Sequence, residues 1–301
     1  MILPPNLQPG DVIGMVCPSG YLPFEKMQTC IKTLTAWGFE VKLGKTAGGQ
    51  FHYFSGTDEE RLIDLQQMLD DPAIHAILFG RGGYGLSRII DKIDFTNFIK
   101  KPKWLIGYSD ITLLHNHLSA CWNVVSLHAP MAAAFNDGGA ENVYIQSIRK
   151  IISGEEMEYS IPTHSYNKQG TASGILTGGN LAMIAHSIGT PSAVNTQGKI
   201  LFIEDVGEYI YNIDRMMVQL IRAGIFDHLA GLIVGAFTDM KDTVIPFGKD
   251  VYDCIAEHLS IYSFPVCFDF PVGHATKNYP LQCGRVHNLI ITNESVQLNY
   301  I

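Results

Sequence analysis

Short apolar runs alternate with helical patterns along the first half of the chain, and this alternation limits the possible folds more than any other feature. Val12–Val16, Phe39–Leu43, Ile74–Phe79 and Trp104–Gly107 read as strands. Between them, Phe24–Trp37 reads as a helix stopped by Gly38 at the C′ position. Thr57–Asp70 reads as a helix opened by a capping box, with Thr57 capping and Glu60 reaching back. Ile111–Ala120 reads as a third. Compact apolar runs such as Trp104–Gly107 and, His75 apart, Ile74–Phe79 suit strands covered on both faces. Strand-helix-strand order then predicts an α/β fold, a parallel sheet with helices on both faces.

The punctuation changes at 153–170, a mostly polar stretch with Gly154, Pro162, Asn167 and Gly170. It is expected to link an N-terminal α/β domain, 1–152, to a C-terminal mixed α/β domain, 171–301. A chain of 301 residues has room for two units of roughly 150 each. In the second half, Ile200–Ile203, Leu232–Phe237 and Val266–Phe270 read as strands. Leu181–Ile188, Ile213–Ala223 and Lys249–His258 read as helices. Val286–Thr292 and Ser295–Tyr300 read as a closing hairpin turned at Asn293–Glu294.

Composition removes several classes of function. Hydrophobic residues make up 47% and charged residues 17%, enough apolar side chains for a large core. Acids outnumber Lys and Arg by 29 to 21, and no basic cluster stands out, which argues against nucleic acid and anionic membrane as partners. No apolar run approaches the ~18 residues of a membrane span, and Met1–Gly10 does not resemble a secretory signal. The six cysteines form no C-x-x-C pair, which fits a reducing cytoplasm. No H-E-x-x-H or cysteine-ligand spacing suggests a catalytic metal, and His115 and His117, two apart on a helix, diverge.

Four segments can carry chemistry. Gly107-Tyr108-Ser109-Asp110 lies directly between a strand and a helix, where a tight turn lifts a hydroxyl clear of the sheet and the next N–H faces an oxyanion. The same residues can also act only as a helix cap, and Ile111 stands where G-x-S-x-G has its second glycine. Gly80-Arg81-Gly82-Gly83-Tyr84-Gly85 satisfies G-x-G-x-x-G ahead of a helix expected near Leu86. It has three uses: a dinucleotide site, a source of oxyanion N–H donors from Gly82 or Gly83, or a turn that simply needs glycine. Glu204 and Asp205 end an apolar strand, as a solvated strand end or as a placed carboxylate. His274 follows a strand in Pro271-Val272-Gly273-His274-Ala275, and His128 in Ser126-Leu127-His128 competes with it as a general base.

Together these segments resemble the LD-carboxypeptidase family of serine peptidases, which includes muramoyl-tetrapeptide carboxypeptidases and microcin C immunity peptidases. The resemblance runs from Pro9-Gly10-Asp11 through the Arg81 and Ser109 segments, Gly178-Gly179-Asn180-Leu181, the Glu204 segment and Ile213-Asp214-Arg215, to Gly273-His274. It implies two α/β domains with the active site in the cleft between them, a homodimer, and a Ser-Glu-His triad without metal or cofactor. Ser109 is then the nucleophile, Glu204 the carboxylate and His274 the base, with Gly82 and Asp110 N–H groups as the oxyanion hole. The implied function is release of terminal D-alanine from a murein tetrapeptide in peptidoglycan recycling. Hydrolysis of a microcin C-type aminoacyl nucleotide is the same-family alternative. An NAD-dependent dehydrogenase and a non-catalytic binding protein are the rivals outside the family. Arg81, the basic residue nearest the oxyanion donors, is the candidate for the terminal carboxylate, with a surface or interdomain ion pair as the other reading. Ala275 stands where the family often has a further glycine, a difference expected at the substrate rim.

Overall fold

The computed structural model describes Met1–Ile301 and contains two sheets. The first holds β1 (Val12–Val16), β2 (Glu40–Leu43), β3 (Ile74–Phe79), β4 (Trp104–Gly107) and β5 (Ser126–His128), all parallel, in the order β5-β4-β3-β1-β2. Helices α1 (Gln28–Ala36), α2 (Asp58–Asp70), α3 (Thr96–Lys100), α4 (Thr112–Trp122) and α5 (Val143–Ile152) cover it. Alternate side chains of a strand face opposite ways, so each strand feeds two cores. Ile13, Met15, Ala76, Leu78 and Ile106 pack with Leu34 of α1 and Ile148 of α5. Val16, Ile77, Phe79 and Leu105 pack with Leu65 of α2 and Leu114 of α4. Each fully buried side chain of this size contributes about 1.5–3 kcal/mol, which explains why predominantly apolar strands occupy the middle of the sheet.

The remaining strands are β6 (Glu158–Pro162), β7 (Gly170–Asn180), β8 (Ile200–Val206), β9 (Gly231–Thr238), β10 (Val266–Cys267), β11 (Leu281–Cys283), β12 (Val286–Ile291) and β13 (Ser295–Tyr300). All but β11 form the second sheet, in the order β10-β9-β8-β7-β12-β13-β6. It is parallel from β10 to β7 and antiparallel beyond. Helices α6 (Leu181–Ser187), α7 (Ile210–Arg222) and α8 (Val251–Leu259) share a core with Leu201, Ile203 and Val234 of its strands. No helix is long and apolar enough to cross a membrane.

Several expectations need correction. The polar stretch 153–170 is not only a connection, because it contains β6, which pairs with β13 at the sheet edge. Such an edge strand alternates, burying Tyr159 while exposing its neighbours, and lacks a continuous apolar run. The chain also does not keep 171–301 to one sheet: β11 returns to pair antiparallel with β5. No α-helix follows the glycine turn; two single 3-10 turns, Leu86–Arg88 and Ile90–Lys92, occupy that place. The strand expected over Val266–Phe270 ends at Cys267. Phe24–Trp37 begins as a 3-10 turn, and Gly38, at φ +92°, ends it with its N–H on Thr35 O. The Thr57–Glu60 capping box is present in both directions. Ligand sites in open parallel sheets lie beyond the carboxyl ends of the strands, and the ends of β3, β4 and β8 lead to the chemistry here.

Candidate active site

Ser109 follows β4 on a turn that forces it into the left-handed region, φ +64°. A non-glycine residue there costs about 1–2 kcal/mol, strain of the kind that collects where a side chain must be presented. The turn leads straight into α4, whose N-terminus adds partial positive charge. The glycine turn after β3 lies against it. A Cβ on Gly82 would stand 2.9 Å from Ser109 Cβ and 3.2 Å from Asp110 N, so only glycine allows the two turns this close. Neither the Gly82 N–H nor the Asp110 N–H donates to another group of the protein.

The Asp110 side chain ties the turns together. Its Oδ2 accepts from Ser19 Oγ at 2.5 Å and from Leu86 N at 2.9 Å, so three loops meet on one carboxylate. Burial raises its pKa, and the bonds from Ser19 and Leu86 oppose that rise. The fully buried Arg61 holds the other side of the glycine turn through the carbonyls of Gly85 and Pro18. Ser19 and Arg61 were not foreseen from the sequence. The partners through which they hold the turns lie far along the chain, and no local pattern marks them.

Glu204, wholly buried near the end of β8, sits where the register with β9 shifts between Ile203 and Asp205. Such irregularities re-aim a side chain. The loop carrying His274 passes directly over it. A Cβ on Gly273, at φ +122°, would meet Glu204 Oε2 at 2.7 Å, so glycine is what lets the next residue reach the acid. His274 Nδ1 then lies 2.7 Å from Glu204 Oε2. Burial lowers the imidazole pKa, but the neighbouring Glu204 carboxylate outweighs it and raises the pKa above its ordinary value. With Nδ1 engaged, Nε2 is the free nitrogen.

Ser109 and His274 line one cavity of about 620 Å³, together with Gly82, Arg81, Lys26 and Tyr108. No hydrogen bond joins Ser109 to His274, an arrangement common before substrate binds. The Tyr108 ring stands 4.6 Å from the His274 ring. Arg81 donates to Tyr21 O at 2.7 Å and forms no ion pair, and no acid lines this cavity. Lys26, a second cation on the wall, was not singled out from the sequence. His128 is elsewhere: it is wholly buried at the end of β5, outside the cavity lining, with neither ring nitrogen bonded. Burial pushes its pKa well below the ordinary value. Ala275 lines a separate cavity of about 530 Å³ with Tyr279 and Lys277. Asp214, Cys254 and His258, on α7 and α8, bring ligand atoms within 4.8 Å of one another, but none lines the Ser109 cavity.

Residues 13–129 match the LD-carboxypeptidase N-terminal domain and residues 173–289 the LD-carboxypeptidase C-terminal domain. A Bacillus subtilis protein named "Probable murein peptide carboxypeptidase" is 33% identical over 286 residues, 93% of this chain and 89% of that one. The muramoyltetrapeptide carboxypeptidase from Oxalobacter formigenes superposes with a TM-score of 0.88 at 29% identity, over 96% of this chain and 98% of its own. The microcin C7 self-immunity protein MccF superposes at 0.89 with 22% identity, over 99% and 98%, which is a likeness of fold. Matched in both halves, and over nearly its whole length by a relative at this identity, the chain belongs to the LD-carboxypeptidase family.

Proposed function

We propose that this protein is a serine carboxypeptidase that hydrolyses an L,D amide bond and releases the terminal D-alanine of a murein tetrapeptide. In this reading Ser109 is the nucleophile, His274 the general base and Glu204 the residue that orients and charges it. The nucleophile comes from 1–152 and its two partners from 171–301, across the 153–170 connection. The observation that carries the reading is the Glu204–His274 bond of 2.7 Å beside a cavity that Ser109 also lines.

A serine hydroxyl is inert near neutral pH until an imidazole takes its proton. His274 Nε2 accepts that proton as Ser109 Oγ attacks the scissile carbonyl. Glu204 stabilises the imidazolium and fixes the tautomer. The oxygen of the tetrahedral intermediate is received by the N–H groups of Gly82 and Asp110, two donors with no competing acceptor. His274 then returns the proton to the departing D-alanine nitrogen, and a water activated by the same imidazole cleaves the acyl-enzyme. No step calls for a metal or a cofactor. An exopeptidase must also hold a free carboxylate. Arg81 and Lys26 offer positive charge on a wall without acids, and Arg81 is assigned to the terminal carboxylate. The reading includes a cytoplasmic role in peptidoglycan recycling and a homodimer.

Incubating the pure protein with murein tetrapeptide tests the reading. Tripeptide and free D-alanine in equal amounts are expected, and unchanged tetrapeptide would contradict it. An aminoacyl sulfamoyl nucleotide assayed in parallel decides between this substrate and the microcin type.

A further inference from the structure

A triad divided between two sheets works only if the sheets are held in register to a fraction of an ångström. The Ser109 turn belongs to the first sheet and Glu204 to the second, and a buried chain of polar groups joins them. Thr112, three residues after Ser109 in the first turn of α4, accepts a hydrogen bond at Oγ1 from Asn180 N at 3.0 Å. Asn180, at the end of β7, donates through Nδ2 to Asp205 Oδ1 at 2.9 Å. Its Oδ1 accepts from Met183 N at 3.2 Å and caps α6. Asp205, next to Glu204 on β8, also accepts from Ala182 N at 3.0 Å and from its own neighbour Val206 N at 2.8 Å. Thr112, Asn180 and Asp205 are all buried.

Two glycines make the junction possible. A Cβ on Gly179 would stand 2.3 Å from Thr112 Oγ1, and one on Gly178 would stand 2.0 Å from Phe202 O of β8. Both have φ +132°. The end of β7 is thus pressed against the nucleophile helix on one side and the acid strand on the other. Asn180 commits its backbone N–H and its Nδ2 to the two sides of this junction and its Oδ1 to the cap of α6. A structure that needed only a packed core at this point would not require a satisfied polar chain.

We propose that the Thr112–Asn180–Asp205 chain is a positioning relay that fixes the Ser109 turn relative to the Glu204–His274 pair. The relay rests on the triad reading above. It acts through Thr112 as an acceptor, so the hydroxyl matters and the shape alone does not suffice.

Thr112→Val keeps the shape and removes the acceptor; Thr112→Ser keeps the acceptor and removes a methyl group. With murein tetrapeptide as substrate, Thr112→Val is expected to lower kcat about 10–100-fold with KM within about twofold, since misplacement of this order costs up to about 10² in rate. Thr112→Ser should stay within about threefold of the parent. An unchanged kcat in Thr112→Val, or a loss that Thr112→Ser shares, would overturn the relay. If Thr112→Val does not fold, Asp205→Asn is read in the same way: a lowered kcat at constant KM supports the relay and an unchanged kcat overturns it. Ser109→Ala runs beside them. If it is inactive while Thr112→Val is normal, only the relay fails; if it retains activity, the triad reading fails and the relay with it.

Discussion

Two regions each present a histidine shielded from solvent at the end of a strand or just beyond one, and they meet opposite fates. His128 ends β5 in the core, with no partner for either ring nitrogen, and burial, helped by the nearby imidazoles of His115 and His274, sets its pKa well below the ordinary imidazole value. His274, in the loop after β10, is part-buried as well, but the Glu204 carboxylate at 2.7 Å reverses the direction and raises its pKa. Desolvation disfavours the charged form and a nearby opposite charge favours it. The difference comes mainly from the Glu204 carboxylate, with Asp205 adding to it, and Glu204 is within reach because Gly273 lets the loop cross it. Of the two, only the second has a carboxylate partner that would stabilise it as the proposed general base.

Removing the proposed nucleophile or the proposed base should break the comparison most severely. Ser109→Ala and His274→Ala should each lower kcat/KM by orders of magnitude, leaving the residual catalysis that binding and the oxyanion donors supply. Initial-rate assays on tetrapeptide, with melting temperature as the control for folding, check both. Glu204→Gln sharpens the comparison through pH. In the parent, kcat/KM should rise with pH through an imidazole titration placed above the ordinary value, because the free base is the active form and Glu204 raises its pKa. In Glu204→Gln that raising charge is gone while burial remains, so the limb should move to lower pH, with a rate loss of about 10²–10⁴. A limb left in place would detach Glu204 from the base. Arg81→Ala should weaken the tetrapeptide acid about 10-fold or more while sparing its C-terminal amide, because a charge-assisted bond is lost only with the acid. Equal losses on both substrates would make Arg81 structural. The smallest effect is expected at His128→Leu: kcat/KM within about threefold, the pH limb in place, and stability changed by no more than about 1–2 kcal/mol, since a buried polar group without a partner is replaced by an apolar one.

The parts of the fold legible in the sequence are those whose physics is local. Ile74–Phe79 and Trp104–Gly107 are strands at the expected bounds because burial on both faces leaves a compact apolar run, interrupted in the first by the part-buried His75. The cap at Thr57 and Glu60 was readable because both partners lie within one turn. The long strand β7 carries little apolar signal: Ile175 and Leu176 stand among small and polar residues, and its end is Gly178-Gly179 because Phe202 and Thr112 approach there. The return of β11 to the first sheet involves three residues and carries no signal of its own. The site divides in the same way. The Ser109 turn was visible as strand, turn and helix in succession. The Asp110 bonds to Ser19 and Leu86, and Lys26 on the cavity wall, depend on loops brought together only by the finished fold.

The most direct test of the account is labelling by a serine-reactive phosphonate, with the modified residue located by peptide mass mapping and the rate of modification measured. A single adduct on Ser109 is expected in the parent and in His128→Leu at similar rates, and modification about 100-fold slower or more in His274→Ala. An adduct elsewhere, or a Ser109 adduct whose rate survives the loss of His274 and collapses with the loss of His128, would contradict it.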